Sequence, residues 1–329
     1  MSLASISAIV VGSLNTDIVG LGFSELIGAG EVAYGNRLQI GAGGKSRNTA
    51  EMMAAMLGPD RVAMVGKSSR DPLSLWRYPV DALEKAGVNI DFVRALPFEE
   101  TGKFPGIALI PVDRHGHNQI YVLPGVNDNL TESEIDAADP LFEAARSNRG
   151  ALLISLELPV GTALHAIKKA HAYDLKVLLD PGGLRQGVCY DEILDQRVLL
   201  IKPNQHELRM LTGVEINSVD DARSAASILR ARGMANVLVT LGKQGAFMMT
   251  ESDEEQIPAP DIAGGDVRDE TGCGDQAMAA LCAFLTEGKD LRTAARAGVM
   301  AGTLQFYRAG IVPITRAELL EAMSDWKQG

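Results

Sequence analysis

Short apolar, strand-like runs alternate with helical stretches along most of this chain, and that alternation limits the fold more than any other feature. In the second half the runs lie at 151–156, 176–180, 198–202 and 237–240, with helical stretches at 160–173, 205–211 and 218–232. Parallel strands need long crossovers, and the crossing helices cover the sheet. The pattern therefore predicts an α/β fold with a mostly parallel sheet and helices on both faces. The first half starts the same way. A β-branched run at 6–11 ends at Gly12, and 45–57 reads as a helix with Ala50, Met53, Ala54 and Leu57 on one face. Gly58-Pro59 stops it, 61–65 is the next strand, and 71–86 reads as a helix broken near Pro79. Helices at 276–286, 291–307 and 316–323 close the chain. We read 1–329 as one domain.

The middle breaks the pattern. The runs 106–110 and 118–122 flank Asp113-Arg114-His115-Gly116, a hairpin signal, and 31–40 reads as extended. These pieces predict a small separate sheet, a lid drawn from about 14–42 and 98–123.

Bulk chemistry removes some function classes. A net charge of −11 over 329 residues argues against a nucleic-acid partner, which needs a basic stripe. No apolar run reaches membrane-spanning length, and no basic n-region precedes the first one. The three cysteines, Cys189, Cys273 and Cys282, contain no C-x-x-C, so a reducing cytoplasm fits better than a disulfide framework.

Several familiar patterns fail. Gly41-Ala42-Gly43-Gly44-Lys45-Ser46 invites a P-loop reading, but Gln39 stands where its first glycine belongs. Gly12 is followed by Ser13-Leu14-Asn15, so the dinucleotide fingerprint is missing. His206-Glu207 lacks the second histidine of a zinc protease, and His115 and His117 read as solvated turn residues.

Other patterns hold, each with a plain structural reading beside the chemical one. Thr271-Gly272-Cys273-Gly274-Asp275 opens a helix whose first N–H groups and dipole suit an anion, with Asp275 placed to take a hydroxyl proton. It also reads as a capped, closely packed helix start. Asn204 and Glu207, three apart after a strand, could face Mg²⁺ and ATP phosphates, or form a capping box. Asn15, Asp17, Gly43, Gly44, Lys45, Asn48 and Glu157 gather polar groups at strand ends suited to sugar hydroxyls, or are loop polarity with turn glycines. Thr240, Gly242 and Gly245 make a nucleotide-side loop or a simple hairpin turn.

In this order and spacing, Gly43-Gly44-Lys45-x-x-Asn48 and the late Gly272-x-Gly274-Asp275 resemble the ribokinase-type (PfkB) sugar kinase family, from Gly12 to about Pro313. The resemblance implies a Rossmann-like, ribokinase-like domain with a β lid, dimerisation through lids, and ATP-dependent phosphorylation of a sugar or related alcohol with Mg²⁺. It implies Asp275 as base, Gly272, Cys273 and Gly274 as anion hole, and Asn15, Asp17, Gly43, Gly44, Lys45, Asn48 and Glu157 as sugar contacts. Asn204 and Glu207 match its phosphate–Mg²⁺ motif, and Thr240, Gly242 and Gly245 its nucleotide loop. Many ribokinase-like members also bind a monovalent cation such as K⁺. Asp269 matches that site's carboxylate, and Thr271, Gln305, Arg308 and Gly310 its backbone oxygens. Three positions depart. Ile314 replaces a hydroxyl residue of the cation site, Ser46-Arg47 replaces a small pair and sets a bulky cation by the sugar, and Cys273 replaces alanine.

The leading expectation is phosphoryl transfer to a hydroxyl of ribose, fructose or a similar sugar. A nucleoside or polyol kinase, a non-catalytic sugar- or nucleotide-binding relative, and a nicotinamide-dependent oxidoreductase are the alternatives.

Overall fold

The run Ala8–Val11 forms an interior strand, β1, buried along its whole length. Side chains alternate across a strand, so Ile9 and Val11 enter one hydrophobic core while Ala8 and Val10 enter the other. Two such cores sandwich one sheet, and this is why the strand reads as continuously apolar. The structure, a computed structural model, describes residues 3–262 and 267–326. The next strands are β2 (Asn15–Phe23), β3 (Arg37–Gly43), β4 (Val62–Arg70), β5 (Asn89–Pro97), β6 (Gly106–Asp113) and β7 (Tyr121–Leu123). They are followed by β8 (Ala151–Ser155), β9 (Lys176–Asp180), β10 (Leu200–Ile201), β11 (Val237–Thr240), β12 (Ala246–Met249) and β13 (Glu254–Ile257).

The large sheet runs β13-β12-β11-β10-β9-β8-β1-β4-β5. It is parallel except where β12 pairs antiparallel with β11 and β13. One core is closed by helices that include Glu132–Ala137, Asp139–Ser147, Val160–Ala172 and Val219–Ala231. The other is closed by Lys45–Leu57, Cys273–Thr286, Leu291–Phe306 and Arg316–Trp326. Cys273–Thr286 and Leu291–Phe306 pack closely, since a Cβ at Gly298 would stand 2.9 Å from the Ala277 carbonyl. The expected ribokinase-like α/β architecture is present, with a second sheet ordered β3-β2-β6-β7 apart from the first.

Local differences have simple causes. The helix expected over 71–86 is Arg77–Lys85. Before it, both oxygens of Asp71 accept backbone N–H groups, from Leu73 at 2.9 Å and Trp76 at 3.0 Å, and fold the chain into a turn. Pro79 then falls in the first helical turn, where its missing N–H costs nothing, so nothing is broken there. The extended reading of 31–40 holds only from Arg37 onward. The polar stretch through Asp17 is not all loop, because β2 begins at Asn15. The hairpin forms as expected, with Ile107 paired to Leu123.

Candidate active site

Strand order fixes where the polar groups converge. β1 lies between β4 and β8, so the chain leaves it in opposite directions at successive crossovers, and a crevice opens at the carboxyl ends there. Ser13 follows β1 and Glu157 follows β8. The Ser13 hydroxyl donates to Glu157 Oε2, and the Lys45 backbone N–H donates to the same oxygen at 3.0 Å. Burial pushes the Glu157 carboxyl up, against these bonds and the Lys45 charge.

Asn15 and Asp17 lie two apart on β2, hence on one face. Asn127 donates from Nδ2 to Asn15 Oδ1 at 2.7 Å, and its own Oδ1 accepts from Leu14 N at 3.1 Å. Glycine is needed at two neighbours for space. A Cβ on Gly43 would fall on the Asp17 carboxylate, and one on Gly106 would fall on the amides of Asn15 and Asn127. Burial raises the Asp17 pKa to about 6, with Arg47 pulling it down and Glu157 and Asp275 adding to the rise. Gly44, at φ +94°, turns the chain into the helix carrying Lys45 and Asn48.

A second helix arrives from the opposite side. Gly272, at φ +74°, is the N-cap of Cys273–Thr286, and Asp275 sits in the first turn, buried. The N–H groups of Gly274 and Asp275 have no intrahelical acceptor there. The Cys273 N–H, one of the three expected anion donors, instead donates to Glu270 O at 3.2 Å and closes a turn. The Cys273 thiol is pushed up to about 12, first by burial and then by Asp269, Glu270 and Asp275, so it stays protonated.

Asn48 Nδ2 donates to Asp275 Oδ2 at 2.8 Å. The Lys45 ammonium stands 3.7 Å from Asp275 Oδ1, 3.9 Å from Asp180 Oδ1 and 3.9 Å from Glu207 Oε1. These carboxylates, Asp180 foremost, hold Lys45 well above the usual lysine range. Burial alone would raise Asp180, but Lys202, at 3.2 Å, and Lys45 outweigh it and hold it low. Burial and the nearby Asp180 charge push Glu207 up.

The capping-box reading of the Asn204–Glu207 pair holds. Asn204 Oδ1 accepts from Glu207 N at 2.8 Å and Glu207 Oε2 accepts from Asn204 N at 2.9 Å, a complete capping box. The same two residues line a cleft of about 870 Å³, with Thr240, Gly242 and Gly245 along one side and Gly272 to Asp275 along the other. The Thr240 loop is also the hairpin turn between β11 and β12. That volume suits a nucleotide-sized ligand. Mg²⁺ keeps several waters and takes one or two carboxylates plus phosphate oxygens. Glu207, which lines the cleft, fits that role, whereas Asp180 is buried between Lys45 and Lys202.

The expected monovalent-cation residues meet beside the Gly272 turn, but as a closed hydrogen-bond knot. Asp269 accepts from Thr271 N at 2.9 Å and from Gly310 N at 2.8 Å. Gln305 enters by its side chain, donating from Nε2 to Gly310 O at 2.5 Å and Thr271 O at 3.3 Å, while its own carbonyl accepts from Arg308 N. Ile314 is buried and offers no side-chain oxygen. This set does not fit a bare cation.

Sequence reading missed Asp180, Lys202, Ser13 and Asn127 as parts of the site. Asp180 had a signal, since it ends the apolar run Val177-Leu178-Leu179 just as Glu157 follows its own strand. A Cβ at Gly182, after Asp180, would fall on the Lys45 chain, so that glycine clears the lysine's path. Arg47 was expected beside the sugar, and its side chain, 1% exposed, lies next to Asn48 and close enough to act on the Asp17 charge. Its guanidinium pairs with Glu51 and donates to Asn48 Oδ1 and to Ala42 O, the last at 2.7 Å. Ser46 is likewise buried, 2.7 Å from Ser155 Oγ.

The pfkB family carbohydrate kinase model matches residues 5–313. A ribokinase from Haemophilus influenzae is 30% identical over 315 residues, 95% of this chain and 96% of its own length. A deoxyribokinase from Salmonella typhimurium is 28% identical over 292 residues, 88% of this chain and 89% of its own length. The solved structure of Arabidopsis thaliana ribokinase complexed with ribose and ATP superposes with a TM-score of 0.81 at 25% identity, covering 97% of this chain and 99% of that one.

Proposed function

The chain belongs to the pfkB family of carbohydrate kinases and is an ATP-dependent sugar kinase, and from that premise we propose that it phosphorylates a primary hydroxyl of a pentose with Asp275 as the base. One observation carries the reading. Asp275 is buried in the first turn of a glycine-led helix, held by Asn48 and Lys45, where the polar strand ends meet the 870 Å³ cleft.

Asp275 accepts the hydroxyl proton as the oxygen attacks the γ-phosphorus of ATP, whose bond to the β–γ bridging oxygen breaks to release ADP. Its own N–H, that of Gly274 and the helix dipole face the charge gathering on the transferred group. Asn15, Asp17 and Glu157 accept from sugar hydroxyls, and the Asn48 amide holds the base in one orientation. Glu207 would hold Mg²⁺ and its waters, which would neutralise the phosphate oxygens, with Thr240, Gly242 and Gly245 along the nucleotide. The small sheet serves as a lid that keeps competing water out.

A pentose is favoured by the ribokinase and deoxyribokinase relatives. Arg47 leaves room for it, since its side chain is buried against Ala42 O, Asn48 and Glu51. ADP release should be screened over ribose, 2-deoxyribose, fructose, 2-keto-3-deoxygluconate, tagatose phosphate, inositols and nucleosides. A pentose should give the highest kcat/KM. A hexose, polyol or nucleoside preferred by more than about tenfold overturns the pentose assignment.

The small sheet exposes Leu38, Leu109, Tyr121 and Leu123 on one face, an apolar surface that a second copy of this chain would cover. Sedimentation at micromolar concentration should show a dimer, and Tyr121→Glu a monomer. Three free cysteines suit a reducing cytoplasm.

A further inference from the structure

We propose that the Gln305 side-chain amide takes the place of a monovalent cation in this enzyme, joining the Thr271 and Gly310 carbonyls, so that turnover is independent of K⁺. The inference rests on the kinase reading only where turnover is measured.

The geometry makes the case. Thr271 immediately precedes Gly272, the N-cap of the helix that carries Asp275. Gly310 lies on the loop that follows Leu291–Phe306. Both carbonyl oxygens point at Gln305 Nε2, at 3.3 Å and 2.5 Å. Carbonyl oxygens repel unless something positive or a donor lies between them, and an amide NH₂ carries two donors in a fixed fork. Gln305 is 0% exposed, so this is a built-in contact and not a surface encounter. A cation bonded to the same two oxygens would contend with the amide for their lone pairs.

The orientation of the amide follows from its surroundings. Flipped, Gln305 Oε1 would face two further oxygens. As placed, Oε1 is buried without a hydrogen-bond partner, a smaller penalty than three oxygens in contact.

The rest of the knot is satisfied without added charge. Asp269 takes an N–H from Thr271 and another from Gly310, bridging the same two segments that Gln305 bridges. Position 314, an isoleucine with 0% exposure, contributes only its N–H, which donates to Gln276 Oε1 at 3.0 Å. The two loops are therefore fastened twice over, by a carboxylate that accepts and an amide that donates. A neutral donor fixes the turn before Asp275 as a cation would, but it adds no salt requirement.

The test compares KCl with tetramethylammonium chloride at equal ionic strength. Two readouts are taken on the full chain: the thermal midpoint without substrates, and ADP release with the accepted sugar. For the wild type, both should be the same in the two salts. A site for K⁺ of millimolar affinity would instead raise the midpoint by roughly 3–5 °C at ~100 mM, and such a rise overturns the proposal. Gln305→Ala opens the space and bares both carbonyls. Its midpoint and turnover should fall in tetramethylammonium and recover in KCl. Equal values in the two salts, or no fall at all, count against the role given to the amide. Gln305→Met keeps the bulk, removes the donors and leaves no room, so KCl should rescue neither readout. Should Gln305→Ala not fold, that variant and the wild type decide the matter. Loss of ADP release in every salt, with wild-type midpoints indifferent to K⁺, would overturn the kinase reading and leave this one standing.

Discussion

Asn48 Nδ2 lies 2.8 Å from Asp275 Oδ2 and ties together the first turns of two helices that are 227 residues apart in sequence. One helix opens at Gly44 and the other at Gly272, both with positive φ, so each brings its polar residue in at a sharp turn. The other Asn48 amide atom, Oδ1, accepts from the buried Arg47 guanidinium, which is itself paired with Glu51. Glu51, Arg47 and Asn48 thus form a relay of polar contacts that ends on Asp275 Oδ2.

Replacing Asp275 by Asn keeps the volume and removes the base. Turnover should fall by about 10²–10⁴-fold, while the dissociation constant for ATP, measured by calorimetry, should change little. Turnover near the wild-type rate would end its assignment as base. Asn48→Ala should lower kcat by roughly 10–100-fold, because the carboxylate loses a buried donor and its orientation. The KM for ATP should move far less.

Arg47 is tested by stability. Arg47→Met leaves the Glu51 carboxylate without its guanidinium and Asn48 Oδ1 without its donor, and should cost about 3–5 kcal/mol in denaturant melts. Adding Glu51→Gln should return a large part of that loss without restoring kcat, since Asn48 remains unsupported. Full recovery of kcat by the double variant would show that Arg47 acts on folding alone.

The Asp17 carboxyl gives a pH signature. Its pKa is raised to about 6 in the fold from an ordinary 3.8, so the folded state favours the protonated form. The stability this provides is fully present below about pH 4 and is lost as pH rises through about 6. Asp17→Asn, uncharged throughout, should therefore be more stable than wild type at pH 7, by on the order of 2–3 kcal/mol, and closer to it at pH 4. Sugar binding runs the other way, since the ionised form accepts from hydroxyls. The KM for sugar should fall as pH rises through 6, and that step should be missing in the variant. Gly43→Ala tests the same carboxylate by steric means, because the new Cβ falls on it. The KM for sugar should rise with little change in that for ATP.

The sequence made the scaffold legible because each signal was local. Apolar runs at Ala8–Val11 and Ala151–Ser155 are buried on both faces, and a strand of that kind needs no partner to be recognised. What escaped depended on distant pairs. Asn127 matters only because β2 passes beside it, and nothing around residue 127 announces that. Asp180 and Lys202 look like ordinary strand ends until Lys45 arrives between the carboxylates. Arg47 reads as a cation near the sugar because Lys45 and Asn48 face that way. Helical rotation instead turns it inward, toward Glu51 four residues on. The cation site reads differently for a related reason, since Gln305, expected there by its backbone carbonyl, reaches Gly310 O through its side chain.

The two roles of Glu207 can be separated by one substitution. As the N3 residue of a capping box, it accepts from the Asn204 N–H at 2.9 Å through Oε2. Its other oxygen, Oε1, faces Lys45 at 3.9 Å, and the residue lines the 870 Å³ cleft. Glutamine serves as well as glutamate at N3, because a carbonyl oxygen replaces the carboxylate oxygen. It cannot replace the charge that Mg²⁺ and its waters require. Burial and Asp180 already work against ionisation of Glu207, so removing the charge costs the fold nothing. Glu207→Gln should then melt within about 1 °C of wild type or slightly above it. Its kcat/KM for Mg-ATP should drop by about tenfold or more, with a higher Mg²⁺ concentration at half-maximal rate. A lowered melting point with unchanged Mg²⁺ dependence would make Glu207 a cap and nothing else.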